Sequence, residues 1–143
     1  MKVLFICYAN YCRSPVAEKI YNYYAEDSHV ALSAGLINFN KIEMDPRSQQ
    51  FLKNKKLKDI GHHTRQLNYE MMESSDCIYT LDLNVLLKVQ KKFPKYVNKV
   101  KIINHLDRSV NTSDPYMLKD IALYNKCLDN IHDIVINLIK NAS

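Results

Sequence analysis

The feature that most constrains this chain is an alternation. Short apolar runs of strand length alternate with longer segments of helical periodicity from one end to the other. Val3, Leu4, Phe5 and Ile6 follow one another without a polar break, the pattern of a strand buried on both faces. Ser14-Pro15 then opens a helix, with serine in the capping position and proline in the first turn. Val16, Ile20 and Tyr24 recur along it at helical spacing. His29 to Ala34 reads as a second strand, closed by Gly35. Asp45-Pro46 opens a second helical segment, which turns Phe51 and Leu52 inward and ends by Gly61. Asp76 to Leu81 is the third strand. Asp82 caps a helix that carries Leu83, Leu86 and Leu87 and that Phe93-Pro94 stops. Lys99 to Asn104 is the fourth strand. After a loop through Asp114-Pro115, a last helix sets Leu118, Ile121, Tyr124, Leu128, Ile131, Val135 and Leu138 on one stripe.

Each crossover is long enough for a right-handed connection, so the expected fold is α/β and doubly wound. It has a four-stranded parallel sheet with helices on both faces and a ligand loop after strand 1. The 143 residues suit a single domain over 1–143. With 47% hydrophobic and 24% charged residues, the chain can bury a core and is not disordered. No apolar run is long enough to span a membrane, and Met1 to Ile6 does not resemble a signal peptide, so a cytoplasmic location is expected. Cys7, Cys12, Cys77 and Cys127 are spaced too irregularly for a disulfide framework. Without a second close Cys/His pair, they give no zinc pattern either. A net charge of +5 attracts anions mildly, and the lysines of 53–58 and 88–92 read as solvated helix faces. No nucleic-acid or membrane partner is expected, and the chain is expected to be a monomer.

The first loop carries chemistry. Cys7 ends a buried strand, five residues separate it from Arg13, and a helix starts at once. Backbone N–H groups of Tyr8, Ala9, Asn10, Tyr11 and Cys12, with the helix N-terminus, would converge above the cysteine sulfur and make an anion site. Arg13 can close over a phosphate with two parallel hydrogen bonds. The same positive surroundings favour the Cys7 thiolate, and a hydroxyl hydrogen bond from Ser14 would add to this. The expected result is a nucleophile at the floor of a phosphate cradle. A phenolate leaving group needs an acid, and Asp114, presented by the Pro115 turn, is the best candidate.

At this point the residues resemble a family. Ile6-Cys7-Tyr8-Ala9-Asn10-Tyr11-Cys12-Arg13-Ser14-Pro15 is similar to the phosphate loop of low-molecular-weight protein tyrosine phosphatases. Ser33-Ala34-Gly35, Asp45-Pro46-Arg47, Gly61 to Gln66, Asp76 to Asp82 and Asp114-Pro115-Tyr116 follow in the family's order. The resemblance implies Cys7 as nucleophile, Arg13 as phosphate ligand and Asp114 as general acid. It implies Asn10 in a left-handed conformation held by Ser33, with Tyr116 and an aromatic, Phe39, as cleft walls. It implies no metal and no cofactor. The substrates would be phosphotyrosine proteins or small aryl phosphates, with phosphate, sulfate or vanadate as inhibitory anions. Ala9, Tyr8, Tyr11 and Met117 depart from the family's usual glycine, leucine, aliphatic residue and second tyrosine. Cys12 reads either as a disulfide partner protecting Cys7 from over-oxidation or as packing beneath the loop. Arg47 and Asp82 are expected to form a buried support network, and one of His62 and His63 to brace a loop.

Three rivals share parts of this pattern. A thioredoxin-coupled arsenate reductase needs further relay cysteines, and Cys77 stands alone with none in 81–92. A protein-arginine phosphatase is expected to have a small polar residue where Tyr11 stands. A phosphotyrosine-binding module without activity could dispense with Cys7 or Asp114, and both are present.

Overall fold

A computed structural model describes residues 1–37 and 40–142. The elements run β1 (Lys2–Cys7), α1 (Ser14–Tyr24), β2 (Val30–Gly35), α2 (Pro46–Asn54), α3 (Tyr69–Ser74), β3 (Cys77–Thr80), α4 (Leu83–Lys92), a 3₁₀ turn (Pro94–Lys99), β4 (Val100–Ile102) and α5 (Ile121–Ala142). The strands form a parallel sheet in the order β2-β1-β3-β4. Val3 pairs with Ala31 on one side and Cys77 on the other, so β1 is fully enclosed.

The alternation of side chains along β1 divides the interior in two. Val3, Phe5 and Cys7 point into a core shared with α1, α2 and α5, through Val16, Ile20, Leu52, Leu128, Ile131 and Val135. Leu4 and Ile6 point into a second core with α3, α4 and the 3₁₀ turn, through Met72, Val85, Val89, Phe93 and Tyr96. The run of apolar residues in β1 is therefore the consequence of helices on both faces. The chain leaves β1 toward β2 on one side and reaches β3 on the other. The crevice at the carboxyl ends of β1 and β3 is thus the switch point of the sheet, where ligands bind in such folds.

Several local expectations are corrected. Ser14 is the first residue of α1 and makes no capping bond, because its hydroxyl is turned to Cys7. The helix after Asp45 ends at Asn54 and not at Gly61; Lys56 then adopts φ 70° and reverses the chain. A short helix, α3, adds an element that the pattern of apolar residues does not show. Asn68 caps it and Lys99 Nζ closes it by donating to the carbonyls of Met72, Glu73 and Ser75. On α4 it is Val85 and Val89 that are buried, while Leu83 and Leu87 face solvent. Asp82 Oδ1 accepts from Val85 N and so fixes the rotation of that helix. Finally, α5 begins at Ile121 and not at Leu118, since Asp120 Oδ1 accepts from Ala122 N and Leu123 N. Among the described residues, no helix is long and apolar enough to cross a membrane.

Candidate active site

Cys7 is the last residue of β1, and the loop that follows returns over it before α1 starts at Ser14. Asn10 makes the reversal with φ 57°, a conformation asparagine tolerates better than most residues; Ala9 does not need positive φ. The loop is held from outside through its carbonyls. Tyr8 O accepts from Leu36 N and Ile37 N, and Tyr11 O accepts from Asp45 N. Asn10 O faces His62 Nε2 at 3.3 Å, and Cys12 O accepts from Ser48 Oγ at 2.9 Å. The peptides are trans, so each N–H points opposite to the carbonyl of its own plane. The amides of Ala9, Tyr11, Cys12 and Arg13 are therefore turned toward the inside of the loop, above Cys7. The Asn10 amide donates to Cys7 Sγ at 3.2 Å.

A chain of side chains fixes this arrangement. Ser33 Oγ donates to Glu18 Oε1 at 2.8 Å and accepts from Asn10 Nδ2 at 2.9 Å. Asn10 Nδ2 also donates to Ser14 Oγ at 2.8 Å, which leaves the Ser14 proton for Cys7 Sγ, 2.9 Å away. Asn10 Oδ1 accepts from Arg65 N and from His62 Nε2, at 3.0 and 3.1 Å. Both oxygens facing His62 Nε2 are acceptors, so that nitrogen carries the proton. Burial lowers the His62 pKa to about 4 and keeps the ring neutral.

Arg13 is 1% exposed, and its buried charge is paired. Nη1 donates to Asp82 Oδ2 and to Thr112 O, both at 2.8 Å, and Nη2 lies 3.8 Å from Asp114 Oδ2. Burial opposes its charge, but attraction to Cys7, Asp114 and Asp82 and the hydrogen bond to Asp82 prevail and hold its pKa above the ordinary value. Asp114 sits in an Asx turn, its Oδ1 accepting from Tyr116 N at 3.0 Å. Arg47 fastens the far side of that turn, donating to Leu118 O at 2.7 Å and Tyr116 O at 3.1 Å. Arg47 is paired with Asp45 at 2.7 Å, so the expected Arg47–Asp82 network is corrected: each of the two serves a different partner.

Cys7, Tyr8, Ala9, Tyr11, Cys12, Arg13, Asp114 and Tyr116 line one cavity of about 190 Å³, together with Ile37. The rings of Tyr11 and Tyr116 meet edge to face at 6.0 Å and make one wall aromatic. Asn10, Ser14 and Ser33 are fully buried behind the lining. Cys12 Sγ lies 3.7 Å from Asp45 Oδ2, and burial pushes its thiol pKa up. Phe39 lies outside the described residues.

The family model for low-molecular-weight phosphotyrosine protein phosphatases matches residues 2–143. The chain belongs to this family. It is a phosphoric monoester hydrolase. Among the similar proteins, the low-molecular-weight protein-tyrosine-phosphatase Wzb of Escherichia coli is 29% identical, the alignment covering 80% of this chain and 77% of that protein. The protein-arginine-phosphatase of Bacillus subtilis is 25% identical, covering 98% and 95%. The crystal structure of a YwlE mutant from Bacillus subtilis superposes with a TM-score of 0.90, covering 99% of this chain and 98% of that one. At 24% identity, that likeness supports the fold alone.

Several parts of this phosphatase site escaped the sequence. Gly35 is the tightest: a Cβ there would lie 2.7 Å from Ala9 C, 2.8 Å from Asn10 N and 3.1 Å from Tyr8 O. All three are backbone atoms, so the end of β2 and the loop fit only without a side chain. Ser33-Ala34-Gly35 marked the segment, but not this contact. Glu18 gave no signal, because an acid inside an apolar helix face reads as a solvated position. Ile37 gave none either, since nothing local tells which residue of its loop faces the cavity.

Proposed function

We propose that this phosphatase hydrolyses phosphotyrosine and small aryl phosphates through a phosphocysteine on Cys7. The observation that carries the reading is the inward turn of four amides above Cys7, secured by the outward bonds of their carbonyls. Such a ring suits the three non-bridging oxygens of a phosphoryl group, and charge develops on them in the transition state. Arg13 adds its charge from the side, oriented by Asp82 and Thr112. The remaining substrate, an aryl ring, lies between Tyr8, Tyr11, Ile37 and Tyr116.

Cys7 Sγ, as thiolate, attacks phosphorus from the floor. The S–P bond forms, the bond from phosphorus to the aryl oxygen breaks, and Asp114 gives that oxygen its proton. Water then attacks the phosphocysteine while the Asp114 carboxylate takes up a proton. The P–S bond breaks, and inorganic phosphate leaves with the thiolate restored. Ser14 and the Asn10 amide, both within hydrogen-bonding reach of the sulfur, stabilise it as nucleophile and again as leaving group. Phosphate, sulfate and vanadate compete for the same ring of amides. No step in this scheme draws on a metal or a cofactor.

The test is turnover of p-nitrophenyl phosphate and of matched phosphotyrosine and phosphoarginine peptides. Wild type is expected to hydrolyse the aryl phosphates and to prefer phosphotyrosine, whose ring fits the aromatic wall. Preference for phosphoarginine would overturn the substrate assignment, and activity retained in Cys7→Ser would overturn the mechanism.

A further inference from the structure

Tyr8 lines the cavity, is about half exposed, and so stands at its mouth. Its carbonyl is anchored by two amides, which fixes the backbone that carries the ring. Lys88 Nζ lies 5.6 Å from the centre of that ring. Lys88 is exposed and stands on the second turn of α4, the helix whose capping residue, Asp82, holds Arg13. Among the described residues, Lys88 has no ion-pair partner. The other cations around the cavity are engaged: Arg13 by Asp82 and Asp114, and Arg47 by Asp45. From Leu83 to Leu106 the sequence has six lysines and no acidic residue, so the segment that carries Lys88 is itself purely basic.

Given the phosphotyrosine reading above, on which it rests, we infer that Lys88 is a specificity-determining residue that selects phosphotyrosine flanked by acidic side chains. Lys88 is not among the residues that line the cavity where Cys7 and Arg13 lie, so its place is at the rim and not at the phosphate. What comes near an ammonium at the rim is the peptide on either side of the phosphotyrosine. A neutral flank gains nothing from Lys88, whereas a carboxylate gains one ion pair in water. The contact with the Tyr8 ring holds the ammonium near the mouth and limits the rotamer freedom that usually weakens exposed pairs.

The experiment compares kcat/KM for two phosphotyrosine peptides, one with aspartate on both flanks and one with serine. Wild type is expected to favour the acidic peptide about fivefold, the worth of one exposed pair at contact. The preference should shrink as salt shortens the Debye length below about 8 Å. Lys88→Gln is expected to remove it and Lys88→Glu to reverse it, with turnover of p-nitrophenyl phosphate unchanged in both. Lys92→Glu, the same charge change one turn further along α4 beside Phe93, is expected to leave most of the preference in place.

Equal use of both peptides by an active wild type would overturn the inference and leave the phosphatase reading standing. So would a preference that survives Lys88→Glu, or one that Lys92→Glu abolishes equally. Loss of all aryl phosphate turnover in wild type would instead overturn the phosphatase reading itself.

Discussion

Arg13 and Asp82, 69 residues apart in the chain, are joined by a contact of 2.8 Å that ties the phosphate loop to the end of β3. Asp82 divides its two oxygens between this guanidinium and the first turn of α4, where Val85 N donates at 2.9 Å. One carboxylate thus orients the anion ligand and sets the rotation of a helix. Asp82→Asn keeps the capping oxygen and loses the charge. We expect kcat/KM to fall about tenfold with little change in Tm. Asp82→Ala also leaves a buried cation short of a partner, and should destabilise the fold by about 3 kcal/mol in thermal or denaturant unfolding.

Gly35→Ala places a methyl against three backbone atoms of the phosphate loop. The loop has no flexible side chain there to move aside, so it must shift as a unit. We expect a stability loss of about 2 kcal/mol. The loss of kcat should be about a hundredfold, since displacement of a catalytic loop on the ångström scale is enough for that. Measurement of both separates them: a folded, soluble variant with near-normal kcat would contradict the close fit.

His62 supplies a pH dependence of stability. Its folded pKa is about 4, against 6.5 for an unperturbed histidine. Between these values the unfolded chain binds the proton and the native chain does not, so stability falls as pH is lowered from 6.5 toward 4 and is level above 6.5. The full effect is about 3 kcal/mol by the linkage relation. His62→Gln retains a donor for Asn10 and cannot titrate. The difference in Tm between wild type and this variant should slope through that window and vanish as a slope above it. A constant difference across the whole range would show that His62 does not titrate as described.

Asp114→Ala is expected to lower kcat for an aryl phosphate by about a thousandfold, within the usual range for loss of a general acid. The loss should be much smaller for substrates whose leaving group is a weak base. A steady-state comparison across leaving groups checks this. An equal loss for all of them would remove Asp114 from proton transfer.

The parts of the site legible in the sequence are those that lie together along the chain. Cys7 to Arg13 is a single loop between a strand and a helix, and the local pattern alone shows where its amides and its one cation must be. Asp114-Pro115 was legible as a turn. What could not be read locally is pairing at a distance. Arg47 and Asp82 were both recognisable as charges needing partners. Yet Arg47 pairs with its neighbour Asp45, while Asp82 reaches Arg13, 69 residues away, only because the sheet order sets β3 beside β1. On α4, leucine and valine stripes are both helical, and the cap at Asp82 selects the valines. The six residues of α3 were too few to show a period. Glu18 and Gly35 matter for what approaches them from β2 and the loop, which local sequence does not encode.

The central claim is a covalent bond between Cys7 and phosphorus, and trapping it is the most direct measurement. The enzyme is mixed with an aryl phosphate, quenched in acid during the first turnover, digested and mapped by mass spectrometry. The account predicts a phosphoryl group on the peptide that contains Cys7 in wild type and none in Cys7→Ser. Release of phenol with no phosphorylated cysteine at any quench time, or label on another residue, would contradict it.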